Sequence, residues 1–498
     1  MAATRRARAP RPTGRGRRRP GTRAAPSPAR RAAAIRASVA RGRLDDLTPL
    51  LAALSDPTAG VRQTAAIALG ILKDPRARST VSTALSDPDP AVRACAAEAL
   101  GAIGRAESRE VLEQALDDPV AHVRARAAGA LRALADARSA GALAARVGDP
   151  SVEVRQTIAI ALGGLEGPEA EAGLRGLLAD PADRVRREAV LGLGRRRGEE
   201  VARSIRPFLS DPARRVRAAA AVVLGRHRDR DSVPALLTRL AQPETWEKPA
   251  VLVALGRIGD PSAGAALVAA ADHPAPWVRV CAVHALGELG GEAAGRVARA
   301  HARDPAWSVR GACALALGAV GGPDDLALLL ELLRDENPWP RRGAIYAIGR
   351  LGLQEAAPRI RDELADPAAE VTLAAIWALG RLGDDGAREA LVRRLVQWRA
   401  AAGPGRPAAA DSAGGLVSDA ESRLFDAAVQ ALGRIAIGAD DLYVARALRD
   451  ARGALSEEDL DRVARLPLPE LGVDAAPPTL RALFDAALPG SIADDESP

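Results

Sequence analysis

LDDLTPLLAALSDPTAGVRQTAAIALGILKD, residues 44–74, decides the fold. Leu47, Leu50, Leu51 and Leu54 fall at the spacing of one helical face. Ser55-Asp56-Pro57 then interrupts the pattern. Asp suits a helix N-cap, and Pro suits a first turn, where its missing N–H is no loss. Val61, Ala65, Ala68, Leu69 and Leu72 share one face of a second helix. Gly70 marks either a close approach by a neighbouring backbone or the coming end of that helix. The stretch therefore predicts two antiparallel helices.

The same stretch returns every 31 residues. Its Ala-Leu-Gly signature keeps a leucine at Leu69, Leu100, Leu131, Leu162, Leu193, Leu224, Leu255, Leu286, Leu317 and Leu379, with Ile348 in the remaining slot. A proline keeps the same period from Pro57 to Pro367, with Glu336 in the missing place. A helix pair cannot bury its apolar faces alone, so pairs must stack, and at least about three are needed for stability. The sequence predicts an all-α, right-handed α-solenoid of about 12 two-helix repeats with a 31-residue period. Eleven units span 44–384. A twelfth, 385–437, is split by an insertion near 400–420 that reads as flexible, being rich in Gly, Ala, Pro and Ser. Residues 438–498 read as a C-terminal helical cap with an acidic disordered end, and 1–43 as a disordered Arg-rich tail that packs against nothing.

Asp-Pro-x-x-x-Val-Arg followed by Ala-Ala and Ala-Leu-Gly resembles the HEAT repeat family in its short bacterial form, the form of phycobilin lyase subunits and of scaffolding proteins. The resemblance covers residues 44–437. It implies a ladder in which the capping Asp of a repeat bonds the Arg six residues on, within or between repeats. Asp56/Arg62, Asp87/Arg93, Asp118/Arg124, Asp149/Arg155, Asp180/Arg186, Asp211/Arg217 and Asp304/Arg310 match it. Gln242/Lys248, His273/Arg279 and Asp366/Thr372 depart from it, which leaves the ladder open there.

Charge is segregated. Residues 1–43 carry 14 Arg and no acid, whereas 456–498 carry ten acids and three Arg. The array between is neutral. The basic tail suggests a tether for nucleic acid or an acidic partner, beside the plainer reading of a solvated tail. No apolar run is long enough to span a membrane, so no membrane insertion is expected. Cys95, Cys281 and Cys313 occupy small-residue core slots, and equivalent slots in adjacent repeats are too far apart for a disulfide. This fits a reducing cytoplasm.

No catalytic constellation stands out. The five histidines form no pair at metal-ligand spacing, and no His-Glu pair of the kind used by HEAT-repeat deoxyhypusine hydroxylases occurs. The chain is read as non-enzymatic, with no cofactor and no metal.

One departure from the repeat is informative. All six tryptophans lie between Trp246 and Trp398. Trp246, Trp277 and Trp339 hold one repeat position, three after the proline slot, and Trp307 sits one earlier. That side of the second helix is expected to line the concave wall, together with Arg187, His284, Arg342, Tyr346 and Trp377. Arg350 and Arg381 follow the repeat glycine. Two readings compete: tryptophans stapling each helix start to the neighbouring repeat, or a groove of aromatic and Arg anchors, the residues enriched at interface hot spots. The expectation is a protein-binding scaffold or adaptor that takes another protein or an extended peptide in this groove. The alternatives are a nucleic-acid-associated protein using the Arg tail and the Trp/Arg groove and, by resemblance only, a bilin lyase-type subunit.

Overall fold

Helix pairs do recur at the predicted interval. The computed structural model describes residues 27–39, 46–243 and 246–387, with 390, 391 and 394. It forms two units, Met1–Leu177 and Leu178–Pro498. Each is a stack of short first helices and longer second helices, such as Thr48–Ala53 with Ala59–Leu72 and Leu326–Leu332 with Pro338–Leu351. Within each unit, successive second helices pack side by side. The fold is the α-solenoid of two-helix repeats. Tail residues 1–26, the twelfth repeat beyond 394, its insertion near 400–420 and the 438–498 cap lie outside the described residues.

Close approach explains the repeat glycine. A Cβ on Gly70 would lie 3.0 Å from the Cα of Ala99, and one on Gly256 would lie 2.7 Å from the Cα of Ala285. Each glycine thus seats the alanine of the next Ala-Leu-Gly, and helices without bulky side chains at the contact can pack at the short end of the usual distances. Leu69, Leu100, Leu131, Leu162, Leu193 and Leu224, the signature leucines, are fully buried.

Two expectations need correction. Asp56 is not the N-cap of the second helix, which begins at Ala59 with Thr58 as its cap residue. Instead, Asp56 Oδ1 accepts the backbone N–H of Thr58 at 2.9 Å, folding the turn ahead of the helix. The same two-residue bond recurs from Asp89 to Asp87 and from Ala306 to Asp304. Local Asp-to-backbone bonding of this kind competes with helix and favours turns. The second correction concerns the tail. Residues Pro28–Val39 form a helix that packs on Ala59–Leu72 and buries Ile35. Arg31, one period before Arg62, donates to Asp56 at 2.6 and 2.8 Å. The segment continues the stack because it carries the repeat's own arginine, which the arginine-rich surroundings disguise.

Candidate functional site

The ladder sets the frame on which the site is built. Arg93 Nη1 donates to the carbonyls of Asp87 and Pro88 within its own repeat, while Nε and Nη2 donate to both carboxylate oxygens of Asp118, 25 residues on, at 2.6 and 3.0 Å. Arg62 to Asp87 and Arg124 to Asp149 repeat this in the first unit. Arg186 to Asp211, Arg279 to Asp304, Arg310 to Asp335 and Arg341 to Asp366 repeat it in the second. The side-chain pair therefore runs between repeats, and the contact within a repeat is to backbone carbonyl. Arg155 likewise donates to the carbonyls of Asp149 and Pro150. Charge-assisted, forked bonds of this kind are stronger than neutral ones, and the guanidinium of Arg62 holds the Asp87 carboxyl below its usual range.

Where the pattern departs, the structure substitutes. Arg217, facing Gln242, reaches the buried Glu247 at 2.6 Å, and Arg239 binds the same carboxylate. An acid five residues after the missing one was the available signal. Thr372 Oγ1 donates to the Asp366 carbonyl in place of an arginine. His273 takes over the turn, its Nδ1 accepting the Ala275 N–H at 3.1 Å.

That last substitution is acid-sensitive. An imidazolium cannot accept at Nδ1. Burial, and then the charge of Lys248, depress the His273 pKa below its ordinary value. Above the unfolded histidine pKa of about 6.5 both states are neutral. As pH falls below it the unfolded chain takes the proton first, so stability is lost down to the lower folded pKa. His273→Asp restores the turn used in the other repeats. The urea midpoint of the native protein should drop between pH 8 and pH 5.5 by more than that of this variant. Equal drops would show that His273 does not contribute.

The tryptophan side of the second unit divides in two. Trp307, Trp339, Arg342, Tyr346, Trp377 and Arg381 come together in one strip across three repeats. Trp307 meets Trp339 edge-on, with ring centroids 6.2 Å apart. The Arg342 guanidinium lies over Trp339 at 4.3 Å and over Tyr346 at 6.0 Å. Tyr346 meets Trp377 at 5.1 Å, and Arg381 lies over Trp377 at 5.8 Å while donating to the Gly349 carbonyl at 3.1 Å. Arg350 is exposed. The other expected groove residues stand apart from the strip. Trp277 is 43 % exposed. Trp246 is half-buried beneath Arg214 at 5.0 Å. Arg187 is paired with Glu188 at 2.7 Å. His284 is half-buried, and burial lowers its pKa.

One cause does not govern Trp277 and Trp339. Gly311 lies 28 residues before Trp339, and a Cβ there would collide with the indole, so the missing side chain is the seat of the ring. Pro249 holds the same place before Trp277 and offers no such seat. Arg342 also differs from expectation. It is 5 % exposed rather than displayed, and its Nε and Nη2 have no hydrogen-bond partner. Burial lowers its pKa from the arginine value and raises that of Tyr346.

The described residues include no group of His, Cys, Asp or Glu able to hold a metal. Burial pushes the free Cys281 thiol up to about 12, opposite to the shift that makes a nucleophile. No helix among the described residues is long and apolar enough to cross a membrane.

A search of curated protein sequences finds no match. Among solved structures, Kap95 in the yeast Kap95:Nup1 complex aligns at 14% identity over 88% of this chain and 78% of its own, with a TM-score of 0.53. Importin beta from an ammonium sulfate condition aligns at 15% identity over 82% and 67%, with a TM-score of 0.51. The CpcE–CpcF phycocyanin lyase of Nostoc aligns at 24% identity over 52% and 94%, with a TM-score of 0.25. The sequence profile of HEAT repeats matches in overlapping segments from 47–132 to 326–402. With that profile matched over most of its length, and with the helix pairs, the glycine seats and the ladder in place, this chain belongs to the HEAT repeat family.

Proposed function

We propose that the chain is a non-enzymatic protein-binding scaffold, and that the Trp307–Arg381 strip of its second unit holds a segment of another protein. The observation that carries this is Trp307. It stays 43 % exposed although it touches Trp339, at the head of a run of stacked aromatic and guanidinium groups. At the position of Tyr346 and Trp377 most other repeats carry aliphatic or small residues, such as Ile67, Val253 and Leu315, with Glu98 and His284 as the polar exceptions. Aromatic and Arg side chains are those that most often anchor interfaces. Kap95, a relative in fold, is bound to another protein in its solved complex.

Capture of partners by the full chain, with and without nuclease, tests the reading against the nucleic-acid alternative. Proteins retained after nuclease and lost with Trp307→Ala/Trp377→Ala support it. Partners that vanish with nuclease, or that the double variant retains, overturn it.

A further inference from the structure

Arg342 is the one arginine of the strip that is buried, and it lacks what the ladder arginines have. Next to it in sequence, Arg341 sets Nε and Nη2 on the two oxygens of Asp366 at 2.8 and 2.9 Å. In Arg342 those same two atoms are buried and carry no hydrogen bond. The exposed Glu370 attracts it without bonding Nε or Nη2, and Tyr346 acts on it from its own helix. A buried guanidinium fork with no carboxylate bonded to it is costly, and natural structures leave such groups seldom. The rings of Trp339 and Tyr346 hold it in place through their faces, an interaction weaker than a desolvated ion pair.

We propose that Arg342 is an anion receptor, and that its occupant is a carboxylate of an acidic, extended segment of a partner protein lying on the strip. This rests on the reading of the strip as a partner-binding face and names what that face selects. Several features favour a carboxylate. The empty edge is the Nε/Nη2 fork, which matches two carboxylate oxygens and which the neighbouring rungs use for that purpose. The exposed Arg350, two turns on in the same helix, and Arg381, on the second helix of the next repeat, extend the positive charge along the strip. The aromatic rings between them offer apolar contact to the rest of an extended chain. Because the fork is closed to solvent, the carboxylate reaches it as Arg342 swings out from between Trp339 and Tyr346. That motion removes the cation from the Trp339 ring and relieves the unpaired charge.

The test uses the full chain and a fluorescein-labelled 12-residue peptide of alternating Glu and Phe. It is compared with the same peptide carrying Gln for Glu, and with a 12-nucleotide single-stranded DNA. The acidic peptide should bind, change the tryptophan emission and outcompete the DNA, while the Gln peptide binds at least about thirtyfold more weakly, the ratio lost with a desolvated charge pair. Arg342→Met should abolish that preference yet raise the melting temperature, because it removes an unpaired buried charge; a merely structural arginine would lower it. Arg342→Lys should recover only part of the affinity, since an ammonium lacks the fork. Equal binding of Glu and Gln peptides, both lost in Trp307→Ala/Trp377→Ala, would overturn the receptor and leave the scaffold reading standing. Preference for DNA would overturn the receptor, and so would unchanged selectivity in Arg342→Met. If no probe binds, the receptor falls while partner capture still judges the scaffold.

Discussion

Asp149→Ala destabilises the first unit by about 3 kcal/mol, the lower end of what is lost when one partner of a buried ion pair is removed. Asp149 and Arg124 are 7 % and 9 % exposed and meet through two bonds of 2.7 and 2.9 Å. Removing the carboxylate leaves the Arg124 fork buried and uncompensated, and also frees the Ser151 N–H that Asp149 holds at 2.8 Å. Adding Arg124→Met should recover part of the loss, because an apolar side chain needs no partner. Urea unfolding of the four proteins in this cycle provides the check, with hydrogen exchange in the helix Ala121–Leu134 as a local report. Additive losses in the double variant would mean that the pair is not coupled.

Trp339→Ala should cost about 2 kcal/mol, below the range for a fully buried tryptophan because the ring is only half-buried. Trp277→Ala should stay within about 0.5 kcal/mol, as for surface substitutions that touch no special feature. The two residues share a repeat position, so the contrast isolates their surroundings. Trp339 rests on Gly311, and the Arg342 guanidinium stacks over its ring. Gly311→Ala should reproduce much of the Trp339 loss by unseating the ring. Equal melting curves for the two tryptophan variants would contradict the seat.

Why these features differ in legibility follows from the range of the interactions. The helix pairs, the buried leucines and the glycine seats repeat with the chain, so a period of 31 residues displays them directly. The ladder's residues were visible for the same reason, but its direction was not. Asp118 is six residues before Arg124 and 25 after Arg93, and only packing decides that its carboxylate turns to the earlier arginine. Glu247 was hidden because it serves a neighbour from outside the repeat position. The strip was legible as a set of unusual residues but not as a contact. Gly311 and Arg342 hold the same slot in consecutive repeats, one empty and one long, and a comparison of slots cannot show that a ring from the next repeat fills the first. Nor can a sequence show that an arginine lacks a carboxylate when acids are frequent nearby.

The ladder's direction also bears on how the protein is made. In every rung described above, the carboxylate follows its arginine in the chain, in most of them by 25 residues. On a ribosome adding roughly 5–20 residues per second, each new guanidinium therefore waits for on the order of a few seconds before its counter-charge emerges. Along each run of intact rungs the growing end carries one open positive site, which the next repeat closes while bringing its own, and the run is interrupted where Lys248 and His273 replace the arginine and the acid. The nascent stack is thus primed to extend towards its C-terminus and to resist pairing with what came before. The series ends where Thr372 replaces the arginine and bonds only the Asp366 carbonyl, and Gln397 stands where the following acid would be. The last arginine of the described ladder, Arg341, has by then received Asp366, so the run closes without leaving an unanswered charge at its end.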